Sequence, residues 1–133
     1  MAEAAREPVI RARMFHRVVI ATPQAHALRD RELIHRVLQQ LVSYLDTKKP
    51  PALILDLEHI DIVSSEAISA LLKIRDHAIG QGCQLRLCNL HPPVREVLKI
   101  TALTPLFDIY QDLSAAYRGL VTETPDAGDM PRQ

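Results

Sequence analysis

Residues Ala52 to Ile79, ALILDLEHIDIVSSEAISALLKIRDHAI, decide the fold. The stretch opens on a near-continuous apolar run, Ala52-Leu53-Ile54-Leu55, interrupted only by Asp56 before Leu57. A half-exposed strand would alternate, so an unbroken run of this length points to a central strand buried on both faces. The stretch closes on Ile68, Leu71, Leu72 and Ile79, whose spacing predicts the inward stripe of an amphipathic helix. Between them lie a second apolar patch, Ile60 to Val63, and then Ser64-Ser65-Glu66. The chain passes from buried strand to helix start through a turn that presents two hydroxyls.

The rest of the chain fits around this unit. Its 133 residues suffice for one domain with a substantial core. Hydrophobic residues are 47% and charged residues 24%, a globular composition. Sixteen basic residues balance sixteen acidic ones, which removes the electrostatic basis for nonspecific nucleic-acid binding. No apolar run approaches the roughly 20 residues that span a bilayer, and MAEAAREPVIRAR lacks the apolar core of a signal peptide. The expected compartment is the cytoplasm, with no direct membrane insertion. Cys83 and Cys88, the two cysteines, sit five positions apart in one expected strand. Their side chains then point to opposite faces, and they stay reduced and partly buried.

In chain order, residues 1–8 read as a flexible tail, 9–121 as the folded domain and 122–133 as a disordered tail. Val9 to Ile20 forms an opening strand or hairpin, ended by Thr22-Pro23. Asp30 caps a helix whose apolar residues come as Leu33/Ile34, Val37/Leu38, Leu41/Val42 and Leu45, stopped by Pro50-Pro51. After the second helix, Gly80-Gln81-Gly82 forms a C-cap, and Gln84 to Cys88 alternates as a strand. Pro93 opens a third helix with Val94, Val97 and Leu98. Leu106 to Tyr110 is a short strand and Ser114 to Leu120 a closing helix. Strands alternating with helices imply a single α/β domain with a mixed, mainly parallel 4–5-stranded sheet and helices packed against it.

Several kinds of chemistry find no support. Neither GxGxxG nor GxxxxGK[ST] occurs, so no phosphate loop or nucleotide cofactor is indicated. The six histidines never pair at metal-ligand spacing, and no metal is expected. Asp56, Glu58 and Asp61 form an acidic cluster on the strand exit, where surface charge is the plainer reading than acid–base catalysis. An enzyme would have to gather Asp56, Asp61 or a histidine around Ser64 in a pocket, as a small hydrolase would. No catalytic residue is therefore assigned.

Ser64 before Glu66-Ala67-Ile68 is well placed as a helix N-cap, a role that needs no function. The same geometry would expose a hydroxyl at the positive end of a helix dipole, where a phosphate is favoured.

The segments LILDLEHIDIVSSEAISALL and GCQLRLCNLHPPVREVLKITALTPLFDIY resemble the STAS domain, the module of anti-sigma-factor antagonists, over roughly residues 10 to 120. The shared pattern is a buried strand, an Asp-Ser-Ser/Thr-Gly turn into a helix, and a later strand ending in a Leu-x-x-Asn/Gly-Leu-x-Pro-x-Val run. The resemblance implies a noncatalytic regulator that switches partners with a serine kinase that is also an anti-sigma factor. It implies Ser64 as the phosphoacceptor, with Ser65 as the alternative. Partner contacts are expected on Val63, Ser64, Ser65 and Glu66 and on the exposed helix side at Ser69, Lys73 and Asp76, with Arg75 beside them; lying off the Ile68/Leu71/Leu72 stripe, Lys73, Arg75 and Asp76 also read simply as the helix's solvated face.

Two departures mark the turn: Val63 stands where the family has Asp, and Glu66 where it has Gly. Glu66 sets a negative charge beside any phosphate, at a cost of about 1 kcal/mol in water. The expectation is a domain that docks a partner while being a poor or altered kinase substrate. The alternative company is a lipid-transport ATPase complex, in which a similar domain is a cytoplasmic subunit. The sequence leaves a homodimer open.

Overall fold

A computed structural model describes residues 9–120. The two expected tails, 1–8 and 122–133, lie outside the described residues. The chain begins with a hairpin, β1 (Ile10–Phe15) and β2 (Val18–Pro23). His16 and Arg17 form its two-residue turn, both at positive φ (52° and 72°). Such turns match the right-handed twist of the flanking strands, and glycine or asparagine usually occupies them. A His-Arg pair hides that signature.

A short β3 (Ala27–Leu28) leads to α1 (Arg31–Lys48). Asp30 caps α1 by accepting the Leu33 amide at 3.1 Å. Lys49 ends it in the left-handed region, its N–H bonded to the Leu45 carbonyl. The central strand β4 (Ala52–Asp56) is buried at every position. β5 (Ile62–Val63) and α2 (Ser65–Gly80) follow. Then come β6 (Gln84–Cys88), α3 (Pro92–Ile100), a 3₁₀ turn at Thr104–Leu106, β7 (Asp108–Tyr110) and α4 (Leu113–Tyr117).

The main sheet runs β1-β2-β4-β6-β7, and only the β1–β2 pair is antiparallel. This is the expected mixed, mainly parallel sheet. Side-chain alternation divides it into two faces. On one face Val19, Ala21, Leu53, Leu55 and Leu87 pack with Val37, Leu41 and Leu45 of α1, Leu71 and Ile74 of α2, and Val94 and Leu98 of α3. On the other, Val18, Ile20, Ala52, Ile54 and Cys88 pack with Leu113, Ala116 and Tyr117 of α4, with Phe15, Tyr110 and Leu120 at the margin. Three helices cover the first face and five residues of helix the second.

Several details differ from the sequence expectation. The inward face of α2 is Ala67, Ile68, Ala70, Leu71, Ile74 and Ala78, with Leu72 half-buried and Ile79 57% exposed. Small alanines let α2 approach its neighbours closely, and Ile79, in the last turn, reaches past them. Leu106 is in the 3₁₀ turn and exposed, so only Asp108–Tyr110 pairs with β6. Pro92, not Pro93, opens α3, and α4 starts at Leu113 and ends at Tyr117. The Ile60–Val63 patch contains a strand of its own, because Ile62 and Val63 pair in parallel with Ala27 and Leu28. Cys83 lies just before β6, and it and Cys88 are buried free thiols on opposite faces.

Candidate functional site

The Ser64 turn is held from both sides. Upstream, the Asp61 amide donates to the His26 carbonyl at 3.0 Å and the Ser64 amide to the Leu28 carbonyl at 2.9 Å. The β3–β5 pair thus fixes the chain as it enters α2. Downstream, Ser64 Oγ accepts the Ala67 amide at 3.2 Å. The backbone of Ser64 is extended (φ −97°, ψ 171°), as an N-cap requires. The expected cap is present, with Ser64 half-buried and Ser65 exposed on the first turn.

Val63 is half-buried and packs against Ile34, Ala67 and Ala70. With Ile68 it occupies the two positions of a hydrophobic staple, the residue before the cap and the fourth helical one. An aspartate here would put a carboxylate against that cluster. The departure at Val63 is explained by packing between α1 and α2.

Glu66 carries its own counter-charge, because its Oε2 lies 2.6 Å from Arg31 Nη2 on the first turn of α1. The two side chains are 45% and 86% exposed, so the pair contributes at most about 1 kcal/mol. Its effect is local: the charge that Glu66 brings to the turn is largely neutralised. The two helices enclose a shallow groove of about 360 Å³, rimmed by Arg31, His35, Glu66, Ser69 and Lys73 over an apolar floor. Arg31 and His35 escape the sequence reading. Their i, i+4 spacing placed them on one face of α1, but nothing in it said that this face adjoins α2.

The remaining expected residues separate. Ser69 and Lys73 line the groove. Asp76 lies outside that lining, 74% exposed and 3.2 Å from Arg75. Arg75 is drawn the other way, its Nε donating to the Leu106 carbonyl at 2.8 Å, so it ties α2 to the 3₁₀ turn. The acidic cluster also comes apart. Asp61 pairs with His26 at 3.1 Å, while Asp56 is buried and accepts the Glu58 amide and the Asn89 side-chain amide. The cavity that Asp56 lines does not include Ser64. Among the described residues no group of His, Cys, Asp and Glu is arranged to hold a metal ion. Nor, among them, is any helix long and apolar enough to cross a membrane.

Comparison with known proteins places this geometry. The family profile of the STAS domain matches residues 30–116. A STAS-domain containing protein of Pseudomonas aeruginosa (strain UCBPP-PA14) is 38% identical over 60 residues, which span 45% of this chain and 59% of that one. The chain therefore covers little more than half the length of that relative. Among solved structures, the anti-sigma-factor antagonist SpoIIAA in its unphosphorylated form superposes with a TM-score of 0.67 at 16% identity, covering 82% of this chain and 94% of its own. The murine solute carrier 26 family member A9, an anion transporter, superposes with a TM-score of 0.65 at 20% identity. There, 80% of this chain matches only 18% of the transporter. The fold thus occurs both as a small stand-alone protein and as one part of a membrane protein. With the profile spanning more than half of its residues, the chain belongs to the STAS domain family.

Proposed function

We propose that this STAS domain is a noncatalytic regulator that switches protein partners in the cytoplasm. The partner class is a serine kinase that also serves as an anti-sigma factor. Docking uses the turn Val63–Glu66 and the exposed side of α2 at Ser69, Lys73 and Asp76. Ser64 is the residue whose phosphorylation would control it, with Ser65 as the alternative.

One observation carries the reading: Ser64 caps a 16-residue helix through its own hydroxyl oxygen, at a turn held to β3. A phosphate on that oxygen would meet the first-turn amides, and the surface would change charge while the packed core stayed as it is. Arg31 adds support, since it offsets Glu66 and so lowers the repulsion an incoming phosphate would meet. Similarity to an anti-sigma-factor antagonist solved in its unphosphorylated form favours the same class.

Affinity purification from the native cell tests this, with mass spectrometry of the bound proteins and of the peptide carrying Ser64 and Ser65. The expected eluate contains a serine kinase or anti-sigma factor whose capture depends on Ser64. Transporter subunits in its place would overturn partner switching and leave Ser64 as a helix cap.

A further inference from the structure

Among the described residues, the second face of the sheet is only partly covered. At five residues α4 is roughly 7.5 Å long, against a five-stranded sheet about 19 Å across. It lies over β4, β6 and β7 and meets β1 at Phe15, against which Tyr117 packs at 5.4 Å between ring centroids; the Arg11–Arg13 end of β1 and the end of β2 lie outside the cluster it forms.

Strand register places charge in that corner. Arg11 faces Thr22 and Arg13 faces Ile20 across the hairpin, on the face that carries Ile20 and Ile54. β4 runs parallel with Ala21 beside Leu55, so Asp56 follows Thr22 on the same face. One row across the sheet therefore reads Arg11, Thr22, Asp56, with the outer two Cα atoms about 10 Å apart. A cavity of about 850 Å³ opens along this edge of the sheet, lined by Arg11, Arg13, Thr22, Gln24, Asp56 and Glu58, and by Ile10, Ala12 and Tyr44 from the α1 side. Pockets of about 300–1,000 Å³ are the usual size for small-molecule sites. This one lies where β2 and β4 end, the edge at which parallel sheets commonly bind ligands.

Asp56 supplies the sharpest indication. It is 5% exposed, and its Oδ1 already accepts the Glu58 amide at 3.1 Å and Asn89 Nδ2 at 3.0 Å. Asn89 stands in the left-handed region (φ 58°) to make that bond. The residue lines the cavity. No ion pair joins Asp56 to Arg11 or Arg13 among the described residues. Two forked guanidiniums two residues apart on one strand face suit a phosphoryl group.

We propose that this corner binds a small phosphorylated polyol, its phosphate on Arg11 and Arg13 and its hydroxyls on Asp56 and Glu58. Hydroxyl donors suit the carboxylates better than a cation does. They give charge-assisted hydrogen bonds without the desolvation of a second buried charge. The site is separate from the Ser64 turn and does not depend on what docks there.

The test titrates the full chain by two-dimensional NMR with glycerol phosphate and ribose phosphate. Free ribose, inorganic phosphate and phosphoethanolamine serve as the comparison arms. Saturating shifts at the Thr22, Glu58 and Asn89 amides are expected with the polyol phosphates. Inorganic phosphate should bind at least tenfold more weakly, and ribose should produce no shift. Combining Arg11→Ala with Arg13→Ala should weaken binding about 100-fold, a factor of ten for each charge-assisted bond lost. Glu58→Gln, on the exposed loop, should weaken it several-fold without altering the fold. The proposal is overturned if neither polyol phosphate shifts these amides, or if the double variant binds as well as the parent. Inorganic phosphate binding equally well would reduce the corner to an anion patch. Tighter binding of phosphoethanolamine would show that the carboxylates select a cation.

Discussion

The two faces of the central sheet are made from the same strands and packed very differently. Beneath α1, α2 and α3, residues such as Leu41, Leu45, Leu53 and Leu98 are fully buried. Beneath α4 the strands contribute equally buried residues, Ile20 and Ile54, but the covering layer is one short helix. That helix is secured by polar contacts. Arg86 on β6 donates from Nη1 to the carbonyls of Ala116 at 3.0 Å and Arg118 at 2.8 Å, and stacks over Tyr110. The first face is stabilised by volume and the second by a latch. A sheet whose stability rests mainly on one side can leave the other open.

The largest effect should come from the thick side. Leu41→Ala is expected to lower unfolding stability by about 4 kcal/mol, and Leu113→Ala on α4 by about 2, since a thin layer collapses more readily around a void. Chemical denaturation measures both, and equal losses would break the comparison. Arg86→Met should cost about 2 kcal/mol through two lost charged hydrogen bonds. It should also raise amide exchange in α4 while α1 stays protected; uniform exchange would mean that α4 is not latched separately. At the turn, Ser64→Ala should cost about 1 kcal/mol by removing the cap, and Ser65→Ala almost nothing. Matching losses would show that Ser64 is not the capping residue. Arg17→Gly should stabilise the hairpin by about 0.5 kcal/mol, because relief of positive φ exceeds the added chain entropy.

The smallest effect is a pH dependence where α1 and α2 meet at their far ends. Asp46 Oδ1 lies 2.7 Å from His77 Nε2 and 2.5 Å from Gln81 Nε2. The hydrogen bond with His77, and after it that with Gln81, holds the carboxyl below its usual 3.8. A depressed carboxyl stabilises the fold above the unfolded value and loses that contribution as pH falls through the folded one. Asp46→Asn should therefore lower stability slightly near neutrality, where the contribution is fully present, and flatten the acid limb below about pH 4, where variant and parent converge. An unchanged acid limb would refute the clamp.

Much of this architecture was legible because period and punctuation agreed. Leu33 to Leu45 repeats every three to four residues between Asp30 and Pro50-Pro51, and the helix occupies that span. The unbroken run at Ala52–Leu55 required burial on both sides and received it. The hairpin turn carried no glycine to announce it, and two-residue strands such as β3 and β5 are too short to show a period. The alanine face of α2 was obscured because Ile79 and Leu72 carry more hydrophobic weight than Ala67, Ala70 and Ala78. Ser64 as the cap could be read locally, one residue against the next three. Arg31 beside Glu66 and the Arg11–Thr22–Asp56 row could not, since they depend on which elements the sheet brings together.

The two cysteines give each face its own clock. Cys83 belongs to the thick side and Cys88 to the thin one. Burial pushes the Cys83 thiol up to about 11, and burial together with the nearby Asp56 carboxylate raises Cys88 as well. Neither can react with an alkylating reagent as a thiolate until its surroundings open. Labelling kinetics under native conditions would therefore time the breathing of each layer within one molecule. Cys88 should be modified first, at the rate at which α4 lifts from the sheet.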